Sequence, residues 1–162
     1  MRFAIPEMES WMDDLIAESR KPHWQRSEES RTPRNPLNVF LLMDGKEFFR
    51  REAVELTRMR LFGCVAAIRL HKQRTGRYPS QLSELNLGEM ATDPFSGKPF
   101  VYRVDPKRGF LLYSVGVNRK DDGGEFEPTL SMPLEGDIPP LYLAPSQAPA
   151  NQRQLLPPTW LK

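Results

Sequence analysis

The residues best suited to chemistry are the carboxylates of a glycine-containing stretch that runs from Val117 to Asp137. Six acidic side chains lie there against two basic ones, Arg119 and Lys120. The acidic residues are Asp121, Asp122, Glu125, Glu127, Glu135 and Asp137. Asn118 adds a side-chain carbonyl, and the glycines let the backbone turn its own carbonyls inward. Calcium takes about six to eight hard oxygen ligands of these kinds. The stretch is therefore suited to calcium, and a solvated acidic loop without metal is the alternative.

The cysteine and the histidines do not indicate nucleophilic catalysis or a zinc site. Cys64 and His71 are seven residues apart, which on one helix is about 10 Å of rise and beyond hydrogen-bond reach. His23 has no usual zinc-ligand spacing to either residue. We therefore expect a protein that is not an enzyme and has no catalytic residues. A metal-dependent hydrolase built on the acidic stretch is a weaker alternative, because no base or nucleophile accompanies the carboxylates.

The charge balance and hydropathy exclude two classes of partner. The 162 residues include 23 Lys and Arg against 21 Asp and Glu, a formal net charge of +2. This charge is too small to define a nucleic-acid-binding protein, although residues 45–75 carry eight basic side chains against three acidic ones. The sequence contains no run of 18 apolar residues, so we expect no membrane insertion. A single cysteine does not identify the compartment.

A long helix over about residues 45–75 is the clearest predicted element. Asp44 and Glu47 have the spacing of a capping box, and Gly76 suits the position that follows a helix. Two apolar stripes run along the helix, so we expect it to be covered on more than one side. One stripe consists of Leu56, Met59, Gly63, Ala66, Ala67 and Leu70, and the other of Val54, Leu61, Val65 and Ile68.

The remaining segments differ in character. Residues 1–44 predict a short amphipathic helix, from Pro6 to Ser19, followed by a linker that contains several prolines. The β region is predicted at about 98–127. It holds two strand-like runs, 100–104 and 110–115, joined by a turn that ends in Gly109, which is typical of a hairpin. Residues 139–162 form a Pro-rich tail.

Several short motifs follow the long helix in order. They are Thr75-Gly76-Arg77-Tyr78-Pro79, Asp93-Pro94-Phe95-Ser96-Gly97-Lys98-Pro99, Phe100-Val101-Tyr102, Phe110-Leu111-Leu112-Tyr113-Ser114-Val115-Gly116, then Asn118 and Asp121-Asp122-Gly123-Gly124. This order resembles the periplasmic domain of the major pseudopilins of bacterial type II secretion and related pilin-like proteins. The resemblance covers about residues 50–138 and defines a pilin-like domain at 45–138.

The resemblance implies an α+β fold in which a long spine helix packs on a small antiparallel β-sheet, here with an extra N-terminal helix and a Pro-rich C-terminal tail. It implies a non-catalytic structural or protein-interaction subunit that binds a protein partner or self-assembles, in protein transport by a type II secretion-like assembly. In that family the loop after the Tyr-Ser-x-Gly strand binds calcium. The ligands implied for this sequence are Asn118, Asp121, Asp122 and Asp137, with main-chain carbonyls near Val115.

The N-terminal part of this sequence departs from the family pattern. The basic leader, the prepilin cleavage site and the apolar helix of about 20 residues have no counterpart here. The resemblance suggests the periplasm or cell envelope, whereas a complete chain without these segments is expected in the cytoplasm. A fragment of a longer protein and a domain reused elsewhere both stay open. A soluble protein-binding module with the same fold and no metal is the alternative function.

Overall fold

The computed structural model shows an α+β protein with a long helix and a small antiparallel sheet. It describes residues 4–27, 33–36, 38, 45–106, 109–124 and 136–140. By its contacts the chain divides into two compact units, Met1–Ala53 and Val54–Lys162. Several predicted features lie outside the described residues, namely the cap at Asp44, the acidic residues Glu125, Glu127 and Glu135, and the Pro-rich tail from residue 141 onward.

The first unit begins with helix α1, Ala4–Ser19, which agrees with the predicted N-terminal helix. The Glu7 carboxylate holds part of the predicted linker against this helix. It accepts hydrogen bonds from the Arg34 amide at 2.6 Å, the Asn35 amide at 3.1 Å and Asn38 Nδ2 at 2.8 Å. The linker is thus tied to α1 around Glu7, a relationship between distant residues that local composition does not indicate.

Arg26 organises the segment that follows α1. It lies just after a single 3₁₀ turn, His23–Gln25, and its guanidinium donates to the Ser19 carbonyl at the end of the helix, 3.2 Å away. The same group pairs with Glu52 at 2.6 Å and lies 4.5 Å from the centre of the Phe49 ring. The Arg26 guanidinium therefore binds the carbonyl at the end of α1 and connects it to residues 49–52 within the first unit.

Helix α2 spans Gly45–Thr75, where the sequence predicts a long helix. Gly76 ends it with φ of +78°, and the Gly76 amide donates to the Lys72 carbonyl at 2.8 Å. Residues other than glycine rarely adopt this backbone conformation, which explains why the helical pattern stops here. In the part of the chain that the structure describes, no helix is both long and apolar enough to cross a membrane.

Only one of the two predicted apolar stripes of α2 is buried. Val54, Leu61, Val65 and Ile68 are all buried, together with Cys64. In the other stripe Met59 is 67% exposed and Leu70 is 45% exposed, and the neighbouring Phe62 is 53% exposed. The expectation that the helix is covered on more than one side is therefore wrong for Met59 and Leu70.

The predicted hairpin forms, with each strand offset by one or two residues from the predicted runs. Strand β1, Val101–Asp105, pairs antiparallel with β2, Gly109–Tyr113, so that Val101 lies opposite Tyr113. Residues Phe110 to Tyr113 of β2 are buried, which makes this strand part of the core. The Tyr78 ring lies 5.4 Å from the Phe110 ring, and a Cβ on Gly109 would come within 2.8 Å of the Tyr78 hydroxyl oxygen. Glycine at 109 therefore allows Tyr78 to lie against the start of β2.

Two 3₁₀ turns, Leu82–Leu85 and Gly88–Ala91, connect the helix region to the hairpin. The second turn lies against α2 at Gly63, where a Cβ would come within 2.5 Å of the Met90 sulfur. Cys64 Sγ donates to the Met90 carbonyl at 3.3 Å, and Arg60 donates to the Thr92 carbonyl at 2.8 Å. These contacts hold residues 90–92, which directly precede Asp93, against helix α2.

Candidate metal-binding loop

The acidic loop starts where strand β2 ends, and a later segment returns to meet it there. Ser114 and Ile138 form an antiparallel bridge with amide-to-carbonyl bonds of 3.1 and 2.9 Å. Gly116 has φ of +64°, and a Cβ at this position would overlap the carbonyl oxygen of Gly136. The two segments approach so closely that only glycine fits at 116, and this approach brings Asp137 to the beginning of the loop.

The Asp137 carboxylate binds the backbone of residues 122 and 124. The side chain accepts a hydrogen bond from the Gly124 amide at 2.8 Å and a longer one from the Asp122 amide at 3.5 Å. Only 3% of Asp137 is exposed. Burial raises the pKa of this carboxyl, and the charges of Asp122 and Asp121 raise it further, whereas the two amides lower it. The two amides therefore offset only part of the cost of burying a negative charge at Asp137.

Asn118 and Asp122 interact across the first turn of the loop. Asn118 Nδ2 donates to Asp122 Oδ2 at 2.8 Å, while Asn118 Oδ1 accepts from the Lys120 amide at 2.9 Å. Both side chains are exposed, unlike Asp137. The structure thus brings together three of the four predicted ligand residues: Asn118 contacts the Asp122 side chain, and the Asp122 backbone contacts Asp137.

Asp121 is oriented differently from the other three predicted ligands. Its Oδ1 atom accepts hydrogen bonds from the Tyr113 hydroxyl at 2.7 Å and from the Gly123 amide at 2.9 Å. The bond from Tyr113 is the main cause that lowers the pKa of Asp121. In turn, burial and then this bond raise the pKa of Tyr113. Asp121 thus links the loop to strand β2.

The loop supplies the types of donor atom that a hard cation prefers, but its side chains are not arranged around one ion. They are carboxylate and amide oxygens with backbone carbonyls nearby, which are calcium ligands rather than zinc or copper ligands. Among the described residues, no group of three or more His, Cys, Asp or Glu side chains is arranged to hold a metal ion. Calcium bound here would therefore need the amide oxygen of Asn118 and main-chain carbonyls as well as carboxylates.

Sequence reasoning placed Asp93 in a motif without giving it a role. Its carboxylate accepts from the Phe95 amide at 2.9 Å inside its own turn, and from the Ser114 hydroxyl at 2.9 Å and the Val115 amide at 3.1 Å. Asp93 is 1% exposed, and burial raises its pKa. The adjacent Asp-Pro followed by Ser-Gly signals a tight turn, but nothing local indicates the bonds to residues 114 and 115.

Cys64 has the environment of a core residue. It is fully buried, and its thiol donates to the Met90 carbonyl. Burial raises its pKa to about 11, so the thiolate that nucleophilic catalysis requires is scarce at neutral pH. These features agree with the sequence argument against a Cys64–His71 dyad.

Comparisons with known protein families, with curated proteins and with solved structures find no match to this chain. The resemblance to pseudopilins therefore rests on the ordered motifs alone; the structure shows a long helix and an antiparallel hairpin. Neither observation names a partner or a metal.

Proposed function

We propose that residues 45–138 form a non-catalytic structural or protein-interaction domain of the pseudopilin-like type, with an acidic loop stabilised by calcium. Helix α2, the hairpin and the loop follow one another in the order that the resemblance implies. The main support is the return of residues 136–138 to the end of β2, because it brings Asp137 to the loop that carries Asn118 and Asp122.

The electrostatics of the loop favour a cation. Asp137 is buried beside the charges of Asp122 and Asp121, and each of these raises its pKa. Among the described residues, the groups that oppose this effect are two backbone amides rather than a basic side chain. A bound cation would supply the missing positive charge. Calcium suits the position better than magnesium, since it accepts irregular sets of oxygen ligands from one loop.

The ligand residues have different roles in this proposal. We assign Asp122 and Asp137 as the carboxylate ligands and Asn118 as an amide-carbonyl ligand. Asp121 is a ligand only if it leaves the Tyr113 hydroxyl, to which it is bonded at 2.7 Å. With Asp121 bonded to Tyr113, its role is to hold the loop to strand β2. Calcium would then tie the loop to the segment around Ile138, next to the bridge with Ser114.

A soluble protein-binding module with the same fold and no metal is the second candidate. Three large apolar side chains on helix α2, Met59, Phe62 and Leu70, are exposed in the structure. Apolar groups gathered on one helix face favour contact with a protein, either a partner or further copies of the chain. Both candidates are therefore interaction proteins, and they differ in the role of the acidic loop.

Calcium binding measured by isothermal titration calorimetry separates the two candidates. The chain should bind calcium, and Asp122→Ala should abolish the binding because it removes a carboxylate ligand. Glu89→Ala is the matched control: it also removes one carboxylate, but from an exposed turn where Glu89 has only a 3.7 Å contact with Arg60. This control should bind calcium as the wild type does. Absence of binding to the wild-type chain would favour the metal-free module.

A further inference from the structure

Asp93 is a buried carboxylate outside the set of predicted ligands. It lies in the turn that precedes strand β1, where the Gly97 amide donates to the Asp93 carbonyl at 2.8 Å and the Phe95 amide donates to its side chain. An ionised carboxylate is costly to bury, and this one is satisfied by hydrogen bonds rather than by a basic side chain among the described residues. The donors to its two oxygens come from its own turn and from residues 114 and 115.

Asp93 holds the three residues that connect strand β2 to the acidic stretch, Ser114 to Gly116. Oδ1 accepts from the Ser114 hydroxyl and Oδ2 accepts from the Val115 amide, so both oxygens are bonded to the residues that directly follow β2. The Ser114 hydroxyl in turn accepts from the Gly116 amide at 3.0 Å. One carboxylate therefore sets the backbone of residues 114–116, from which the chain turns toward Asn118.

The same residues also anchor the returning segment. Ser114 forms both backbone bonds of the bridge with Ile138, and Ile138 directly follows Asp137. Asp93 therefore acts at the bridge where two segments meet: residues 116–122, which follow Ser114, and residues 136–137, which precede Ile138. These segments are the two arms of the loop. If residues 114–116 move, Asn118 and Asp122 shift on one side and Asp137 shifts on the other.

We propose that Asp93 is a positioning residue for the calcium loop: it aligns residues 114–116 so that ligands on both arms meet, and it does not itself contact the ion. This inference rests on the proposed calcium function. Residues that orient metal ligands without touching the metal typically change affinity about 10- to 100-fold when they are replaced. Asp93→Asn keeps one acceptor oxygen but presents an NH₂ group to the Ser114 hydroxyl or to the Val115 amide.

The test compares calcium affinity among folded proteins by calorimetry with calcium chloride. Asp93→Asn should bind calcium at least about 10-fold more weakly than the wild type. Ser114→Ala removes one of the bonds to Asp93 with less risk to folding, and it should weaken binding in the same direction. Leu82→Ala is the control, because it opens the core in the Leu82–Leu85 turn and leaves the bonds of Asp93 in place.

The outcomes are distinct. Circular dichroism first establishes a temperature at which all four proteins are folded. If Leu82→Ala keeps the wild-type affinity while Asp93→Asn and Ser114→Ala lose it, the positioning role is supported. If the wild type binds calcium and Ser114→Ala and any folded Asp93→Asn bind equally well, or if Leu82→Ala loses as much affinity, the positioning role is wrong and the proposed function stands. If the wild type does not bind calcium, both are wrong.

Discussion

The Tyr113 hydroxyl donates a hydrogen bond to Asp121 Oδ1 at 2.7 Å, and this bond ties the acidic loop to the end of strand β2. It separates Asp121 from its neighbour Asp122, whose side chain is bonded to Asn118 instead. Two adjacent acidic residues therefore have different surroundings: Asp121 is bonded to strand β2, and Asp122 is bonded to Asn118, another predicted ligand.

Replacement of Tyr113 by phenylalanine tests this division. The hydrogen bond from Tyr113 is the largest cause that lowers the pKa of Asp121, so in Tyr113→Phe this pKa should rise toward the ordinary value for aspartate. Side-chain carboxyl chemical shifts, followed by NMR as a function of pH, report the change. Tyr102→Phe is the control, because the Tyr102 hydroxyl donates to the Pro79 carbonyl rather than to a carboxylate. An unchanged pKa of Asp121 in Tyr113→Phe would contradict the assignment.

Three glycines with positive φ should differ in their tolerance of alanine. Gly76 and Gly123 have φ of +78° and +80°, and a Cβ at either position meets no neighbouring atom within 4 Å. Gly76→Ala and Gly123→Ala should each cost about 1 kcal/mol of unfolding free energy, from backbone strain alone. Gly116→Ala should cost clearly more, because its Cβ would overlap the Gly136 backbone. Urea denaturation measures all three, and equal costs would contradict the close approach at Gly116.

The pH dependence of metal-free stability should reveal the carboxyl group of Asp137. Its folded pKa is raised, mainly by burial, so the folded state holds this proton more tightly than the unfolded state does. The stability it contributes is therefore present at low pH and is lost as the pH rises through the folded pKa. Asp137→Asn does not titrate. The wild-type free energy of unfolding minus that of Asp137→Asn should then increase as the pH falls from neutrality toward the ordinary pKa of aspartate.

Denaturant titrations in the presence of a chelator measure this difference. Glu89→Gln controls for the loss of one carboxylate, since Glu89 is 94% exposed. A difference that shrinks as the pH falls would mean that Asp137 is stabilised in its charged form in the fold, and the electrostatic argument for a cation would then be wrong.

Cys64 should react with thiol reagents only when the chain unfolds. Its thiol is buried, is bonded to the Met90 carbonyl and has a pKa raised to about 11. In the folded chain a reagent therefore cannot reach the sulfur, and little of it is present as the reactive thiolate. Labelling by a chromogenic disulfide reagent should be slow under native conditions and complete within seconds in concentrated denaturant. Rapid, stoichiometric labelling of the native protein would contradict this burial.

Local sequence signals predicted the elements of the fold well. The C-terminal end of α2 follows from Gly76, whose positive φ stops the helix, and the start of β2 follows from Gly109, which also has a positive φ. The buried face of α2 could not be predicted in the same way. Met59 and Leu61 are both apolar and lie on overlapping stripes, and only the tertiary packing decides that Leu61 is buried and Met59 is exposed.

The candidate loop was predictable in composition and not in its internal contacts. Asn118, Asp122 and Asp137 could be named because acidic residues and glycines cluster there. The bonds from Ser114 and Val115 to Asp93 join residues more than twenty positions apart, and such contacts leave no pattern of hydrophobic spacing from which they could be predicted. Tyr113 likewise has the pattern of a buried strand residue, whereas its hydroxyl contacts the loop.

Thermal unfolding with calcium or with chelator tests the calcium-stabilised loop most directly. A ligand that binds only the folded state stabilises it by about 2.7 kcal/mol at a hundredfold excess over its Kd, which corresponds to several degrees in a domain of this size. Millimolar calcium should therefore raise the Tm by several degrees, and magnesium should raise it much less. Asp122→Ala should lose the calcium response, with a metal-free Tm that is unchanged or slightly higher because Asp122 raises the pKa of Asp137. Superimposable melting curves of the wild-type chain in calcium and in chelator would contradict the account.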